Sequence, residues 1–125
     1  MKRRILLAAL AAVSLVGSAA TVAARTVFDG NWSVLIITDR GDCDRAYRYG
    51  VTIDNGIVLY RGGGDSLDLQ GRVTRSGNVD VRIAQGNQRA EGRGRLSRFT
   101  GGGVWFGAGP TGTCSGRWSA ERRSP

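Results

Sequence analysis

The chain has 125 residues, 18 basic against 10 acidic, with a net charge of +8 and no histidine. That length accommodates a single domain. Without histidine there is no Ser-His-acid triad, no imidazole base and almost no route to a zinc or haem site, so the sequence reads as a non-enzyme with no cofactor.

Met1-Lys2-Arg3-Arg4 is a basic start, and residues 5–16 are apolar or small apart from Ser14. Small residues follow, which is the layout of a secretory signal peptide. The signal is assigned to residues 1–24 and the domain to 25–125. Cleavage after Ala24 puts Val22 and Ala24 at the recognition positions, and cleavage after Ala20, with Ser18 ahead of it, competes. The apolar run is shorter than the roughly 20 residues that span a bilayer, so no transmembrane anchor is expected once the signal is removed. The expected location is periplasmic or secreted. Of the 18 basic residues, Lys2, Arg3 and Arg4 belong to the signal; the remaining 15 are all arginine and oppose 10 acids, leaving a charge of +5. Such a balance attracts anionic surfaces. Cys43 and Cys114 are the two cysteines. An even pair in an exported chain reads as a disulfide.

From residue 25 onward the pattern is strand after strand. The first run is residues 32–38, in which Val34-Leu35-Ile36-Ile37 is apolar on both faces. A polar loop, 39–44, carries Cys43. Tyr47, Tyr49, Val51 and Ile53 then alternate with Arg48, Gly50, Thr52 and Asp54, the period of a half-buried strand. Asp54-Asn55-Gly56 predicts a tight type I′ hairpin, and residues 57–60 return from it. After a glycine loop at 62–64, Leu67, Leu69 and Val73 alternate with polar residues. Turns at Ser76-Gly77-Asn78 and Gln85-Gly86-Asn87 frame Val79, Val81 and Ile83, and Ala90, Gly92, Gly94 and Leu96 follow. Residues 104–108 and 114–121 complete about eight short strands. Gly71, Gly92, Gly94, Gly107 and Gly116 fall inside strands, where glycine marks a bend or a close approach. The expected fold is all-β: a small antiparallel up-and-down barrel or meander with one disulfide, a closed barrel being favoured over an open sandwich.

Gly30-Asn31-Trp32 at the start of the first strand resembles the Gly-x-Trp signature of the lipocalin and avidin-type barrels. That resemblance implies a tryptophan at the barrel floor packed against an arginine of the last strand, here Arg122 or Arg123. The mature chain as a whole is similar to an uncharacterised family of small exported bacterial proteins. The likeness rests on Phe28-Asp29-Gly30, Trp32-Ser33-Val34, Cys43-Asp44, Tyr47-Arg48-Tyr49 and Cys114-Ser115-Gly116-Arg117-Trp118, and it implies no activity. In size, export and single disulfide the chain also resembles the small periplasmic barrels that inhibit metalloproteases.

Two sets of residues are candidates for function. Tyr47, Tyr49, Trp105 and Trp118 either fill a small core or, with glycines opposite, line a pocket for a small apolar ligand. Arg72, Arg82, Arg93, Arg95 and Arg117 should point outward by alternation and form a band suited to phosphate or carboxylate. An anionic envelope glycolipid is the partner such a band would fit. Asp68, Asp80 and Glu91 share that face and oppose it as cross-strand partners. Nucleic acid is disfavoured because the aromatics read as interior rather than as exposed stacking platforms. Asp39, Asp42 and Asp44 form an acidic loop without the ligand order of a calcium site. The expected role is a non-catalytic binding module; the alternative is a protein-interaction or protease-inhibitor-like module acting through the loops at 39–44 and 62–65.

Overall fold

The computed structural model describes residues 25–62 and 67–125. The signal-peptide assignment falls at 1–24, outside the described residues, as does most of the glycine loop after residue 62. Eight strands are present among the described residues: β1 (Gly30–Arg40), β2 (Ala46–Asp54), β3 (Ile57–Tyr60), β4 (Leu67–Val73), β5 (Asn78–Gln85), β6 (Gln88–Leu96), β7 (Thr100–Gly109) and β8 (Gly112–Ser124). Each pairs antiparallel with the next, and β8 returns to pair with β1. The sheet is therefore a closed up-and-down barrel, its pairing sparsest at the short β3, which pairs with residues 51–54 of β2 and with Gly71 and Arg72 of β4. Closure covers most of the unpaired backbone rows that invite aggregation.

Local chemistry sets the hairpins. Asn55 and Gly56 both take positive φ, 51° and 78°, the two left-handed positions that a type I′ turn requires. That turn brings Asp54 opposite Ile57 and Ile53 opposite Val58. Alternation then places Val51, Ile53, Val58, Val73 and Leu96 in the buried core with Trp32, Trp118 and Ala120. Strand β7 starts at Thr100 rather than at Val104, where the β-branched pattern begins. Gly101, Gly102 and Gly103 are strand residues, paired with Ala120, Ser119 and Trp118 of β8.

Glycine is needed in this part of the sheet because indoles lie over it. Trp118 crosses Gly103 and Gly94, and its Nε1 donates to the Arg93 carbonyl at 3.1 Å. A Cβ on Gly103 would fall 1.9 Å from that same carbonyl oxygen, and one on Gly94 would fall 2.5 Å from the Trp118 ring. The device is repeated one strand on. Trp105 of β7 reaches across Gly116 of β8 and donates to the Ile37 carbonyl of β1 at 2.9 Å. A Cβ on Gly116 would sit 1.9 Å from the Ile37 oxygen.

The two ends of the barrel differ. At one end the segment 25–29 folds under the floor, burying Phe28 and Asp29. Trp32, 2% exposed, donates its indole N–H to the Phe28 carbonyl at 2.8 Å. Arg122 lies over the Trp32 ring, 5.0 Å from its centroid. Its guanidinium also donates to the carbonyls of Asp29 and Arg98, both at 2.8 Å, and to that of Val27. Part-exposed contacts of a guanidinium of this kind contribute about 1 kcal/mol each. At the other end the β1–β2 loop is joined to the start of β8 by the Cys43–Cys114 disulfide.

Candidate functional site

A cavity of about 620 Å³ occupies the barrel interior and opens at the disulfide end. Trp32, Val51, Val73, Leu96 and Ala120 line its depth, and Val34, Ile36, Leu69, Val81 and Ile83 line its waist. These are inward positions of six strands, so the wall is apolar because the period of alternation is two. The four aromatics singled out by the sequence meet here: Tyr47, Tyr49, Trp105 and Trp118 all line this one cavity. They do not share one depth. Trp118 is buried, Tyr49 and Trp105 are half-buried, and Tyr47 stands at the rim with 39% of its surface exposed.

The tyrosines form a chain along the β2–β3 wall. Tyr47 and Tyr49 have ring centroids 6.0 Å apart, and Tyr49 meets Tyr60 edge-on at 6.1 Å. Tyr60 escaped the sequence reading, although its pairing opposite Val51 gives it the inward parity. Asp44 accepts the Tyr47 hydroxyl proton in a hydrogen bond and, with some burial, pushes its pKa up to about 12. Burial, then the neighbouring Tyr60 and Asp44, raises Tyr49. Both phenols are therefore neutral at ordinary pH. Every buried side-chain nitrogen and oxygen among the described residues has a hydrogen-bond partner. The deep wall thus offers no unpaired polar group and no charge, and it discriminates by shape and apolar contact. Polar side chains gather only at the rim, where Asp42, Asp44, Gln88, Arg89 and Thr113 border the opening.

The second candidate set stays on the outer wall. Arg72, Arg82, Arg93, Arg95 and Arg117 are all exposed. Register places Asp80 between Arg72 and Arg93, and Glu91 opposite Arg82. Arg117 is bidentate to Asp39, at 3.0 and 3.1 Å, and Arg95 reaches the Ser76 carbonyl at 3.5 Å. The wall is a checkerboard of charge rather than a continuous basic band. The Asp39 carboxylate is thereby engaged by Arg117 and that of Asp44 by the Tyr47 hydroxyl, while the Thr38 hydroxyl donates to the Asp44 backbone carbonyl. No group of three metal-ligating side chains occurs among the described residues.

These features define a small calyx: an eight-stranded barrel stoppered at one end and open onto an apolar interior at the other. No protein-family model, no curated protein and no solved structure matches the chain.

Proposed function

We propose that the protein is a non-catalytic binding module that holds a small, neutral, apolar ligand inside the barrel, in the periplasm or outside the cell. The observation that carries this reading is the interior itself. A well-packed barrel of this length would be filled by its own side chains, yet some 620 Å³ remain, within the range of ligand pockets. The wall is apolar and uncharged, and its entrance has a polar rim. A disulfide fits an oxidising compartment, which is the setting the basic and apolar leader points to. The likeness of Gly30-Asn31-Trp32 to lipocalin and avidin-type barrels supports the same reading, with Arg122 rather than Arg123 lying over Trp32. A module acting through its loops would not need the interior, so the cavity favours the ligand reading over the inhibitor one.

Gly92 supplies the test. A Cβ there would meet nothing closer than the Trp118 Nε1 at 3.8 Å, so a larger side chain enters the cavity without displacing backbone. Gly92→Leu is expected to weaken binding of a neutral apolar dye such as Nile red by at least about tenfold, with the melting temperature unchanged. Native mass spectrometry of the protein from its own envelope should show an added small-molecule mass that Gly92→Leu lacks. Equal dye affinity in the two proteins would remove the interior as the site.

A further inference from the structure

The closed end of the barrel carries a feature that the interior does not explain. Phe99 and Val27 are 65% and 61% exposed, among the most exposed large apolar side chains of the described residues. They are neighbours through one residue: the Arg122 guanidinium donates to the Val27 and Arg98 carbonyls, and the Arg122 backbone N–H donates to the Phe99 carbonyl at 2.9 Å. Arg122 thus ties together the backbone that carries both exposed apolar side chains.

Arginines surround them. Arg25 and Arg75 line, with Thr26 and Val27, a shallow depression of about 270 Å³, and Arg98 precedes Phe99 in the β6–β7 turn. Among the described residues Arg75 and Arg98 make no ion pair, and Arg25 comes only within 4.0 Å of Asp29. Two of the acids at this end give little counter-charge. Asp29 is buried, its oxygens taken by Thr26, Asn55 and Gly56, and Glu121 is 3.5 Å from Arg123. Asp54 stays exposed and unpaired, and Asp80, two residues into β5, is exposed without an ion pair among the described residues. The open end carries both signs: Asp39, Asp42 and Asp44 lie in or beside the β1–β2 loop with Arg40 and Arg45, Arg117 pairs with Asp39, and Arg89 borders the opening.

We infer that the closed end docks on an anionic membrane surface, with Phe99 and Val27 seated among the headgroups and Arg25, Arg75 and Arg98 against their phosphates. Arg75 and Arg98 make no ion pair among the described residues, and Arg25 keeps only a 4.0 Å approach to Asp29. Exposed apolar tips beside these cations match what such an interface offers: an acyl boundary for the tips and a negative potential for the cations. Arginine suits phosphate through its planar fork. Docked this way, the protein presents the mouth of the calyx away from the bilayer. The inference stands independently of the ligand, since none of these side chains lines the cavity.

The experiment is vesicle co-sedimentation of the full chain on phosphatidylcholine vesicles, with and without equal parts of phosphatidylglycerol, at low and high salt. Whatever leader the chain retains is common to every variant. Wild type is expected to bind the anionic vesicles in a salt-sensitive way and the neutral ones weakly. The double variant Arg75→Glu with Arg98→Glu should lose at least about 100-fold in partitioning, and Phe99→Ser about tenfold. The wall variant Arg82→Glu with Arg93→Glu carries the same charge change and should keep most of the binding. All of these side chains are exposed, and Arg122 binds the backbone carbonyl of Arg98, so melting temperatures should hold. Equal loss in the wall variant, or no preference of wild type for anionic vesicles, would overturn the inference.

Discussion

Two glycines on the same face of β6 have opposite environments. A Cβ on Gly94 would lie 2.2 Å from the Gly102 carbonyl oxygen and 2.5 Å from the Trp118 ring, whereas one on Gly92 meets only ordinary contact distances. Gly94→Ala should therefore destabilise the protein by about 1–3 kcal/mol, the range for overpacking a filled site. Gly92→Ala should stay within about 0.5 kcal/mol of wild type. Urea denaturation of the two single variants checks this, and equal effects would mean that the path of the Trp118 indole does not shape the β6–β7 backbone. Glycine is abundant here because indoles that cross the sheet need a bare strand beneath them.

At the scale of elements, the segment 25–29 closes the barrel because Asp29 binds the β2–β3 turn. Its carboxylate accepts from the Asn55 and Gly56 backbone N–H groups at 2.7 and 3.2 Å and from the Thr26 hydroxyl at 2.6 Å. Burial pushes this carboxyl up, but the hydrogen bonds together outweigh burial and hold its pKa below the ordinary 3.8. A carboxyl whose folded pKa is depressed adds stability above its unfolded value and loses it as pH falls through the folded one. Asp29→Asn sets an amide N–H₂ against a donor whichever way it turns, and should cost about 1–3 kcal/mol at neutral pH. The gap between wild type and variant should hold down to about pH 5 and narrow below the ordinary carboxyl value. Thermal melts across that range measure it; a gap independent of pH would place the loss in packing rather than charge.

The molecule as a whole is a closed cylinder with one end held by hydrogen bonds and the other by a covalent link. The Cys43–Cys114 bond closes a separation of 71 residues, and in the chain-entropy account such a loop contributes about 4 kcal/mol through the unfolded state. The double variant Cys43→Ser with Cys114→Ser should lose up to that amount in denaturant unfolding. Its slope against denaturant should change as well, because the unfolded chain gains freedom and exposed surface. A loss below about 1 kcal/mol would show that the barrel closure, not the cross-link, sets the stability.

Much of this architecture is legible in the chain because it is written locally. The alternation through Tyr47, Tyr49, Val51 and Ile53 and the Asn55-Gly56 turn specify strands, hairpins and inward faces from near neighbours alone. The pairing of Cys43 with Cys114 follows from there being no other cysteine. Strand β7 was harder to bound: Gly101, Gly102 and Gly103 carry no strand propensity and become strand only because β6 and β8 supply the hydrogen bonds and Trp118 covers them. Lateral pairing also decided that β8 meets β1, that Arg122 reaches Trp32, and that Asp80 sits between Arg72 and Arg93. These are juxtapositions across strands, set by register that no single segment contains. Whether the aromatics fill the interior or line a space was likewise a tertiary matter. Composition counts side chains, but a cavity is the difference between the volume a closed sheet encloses and the volume those side chains occupy. Local alternation determined which residues face inward; only closure of the barrel determined how much room they leave.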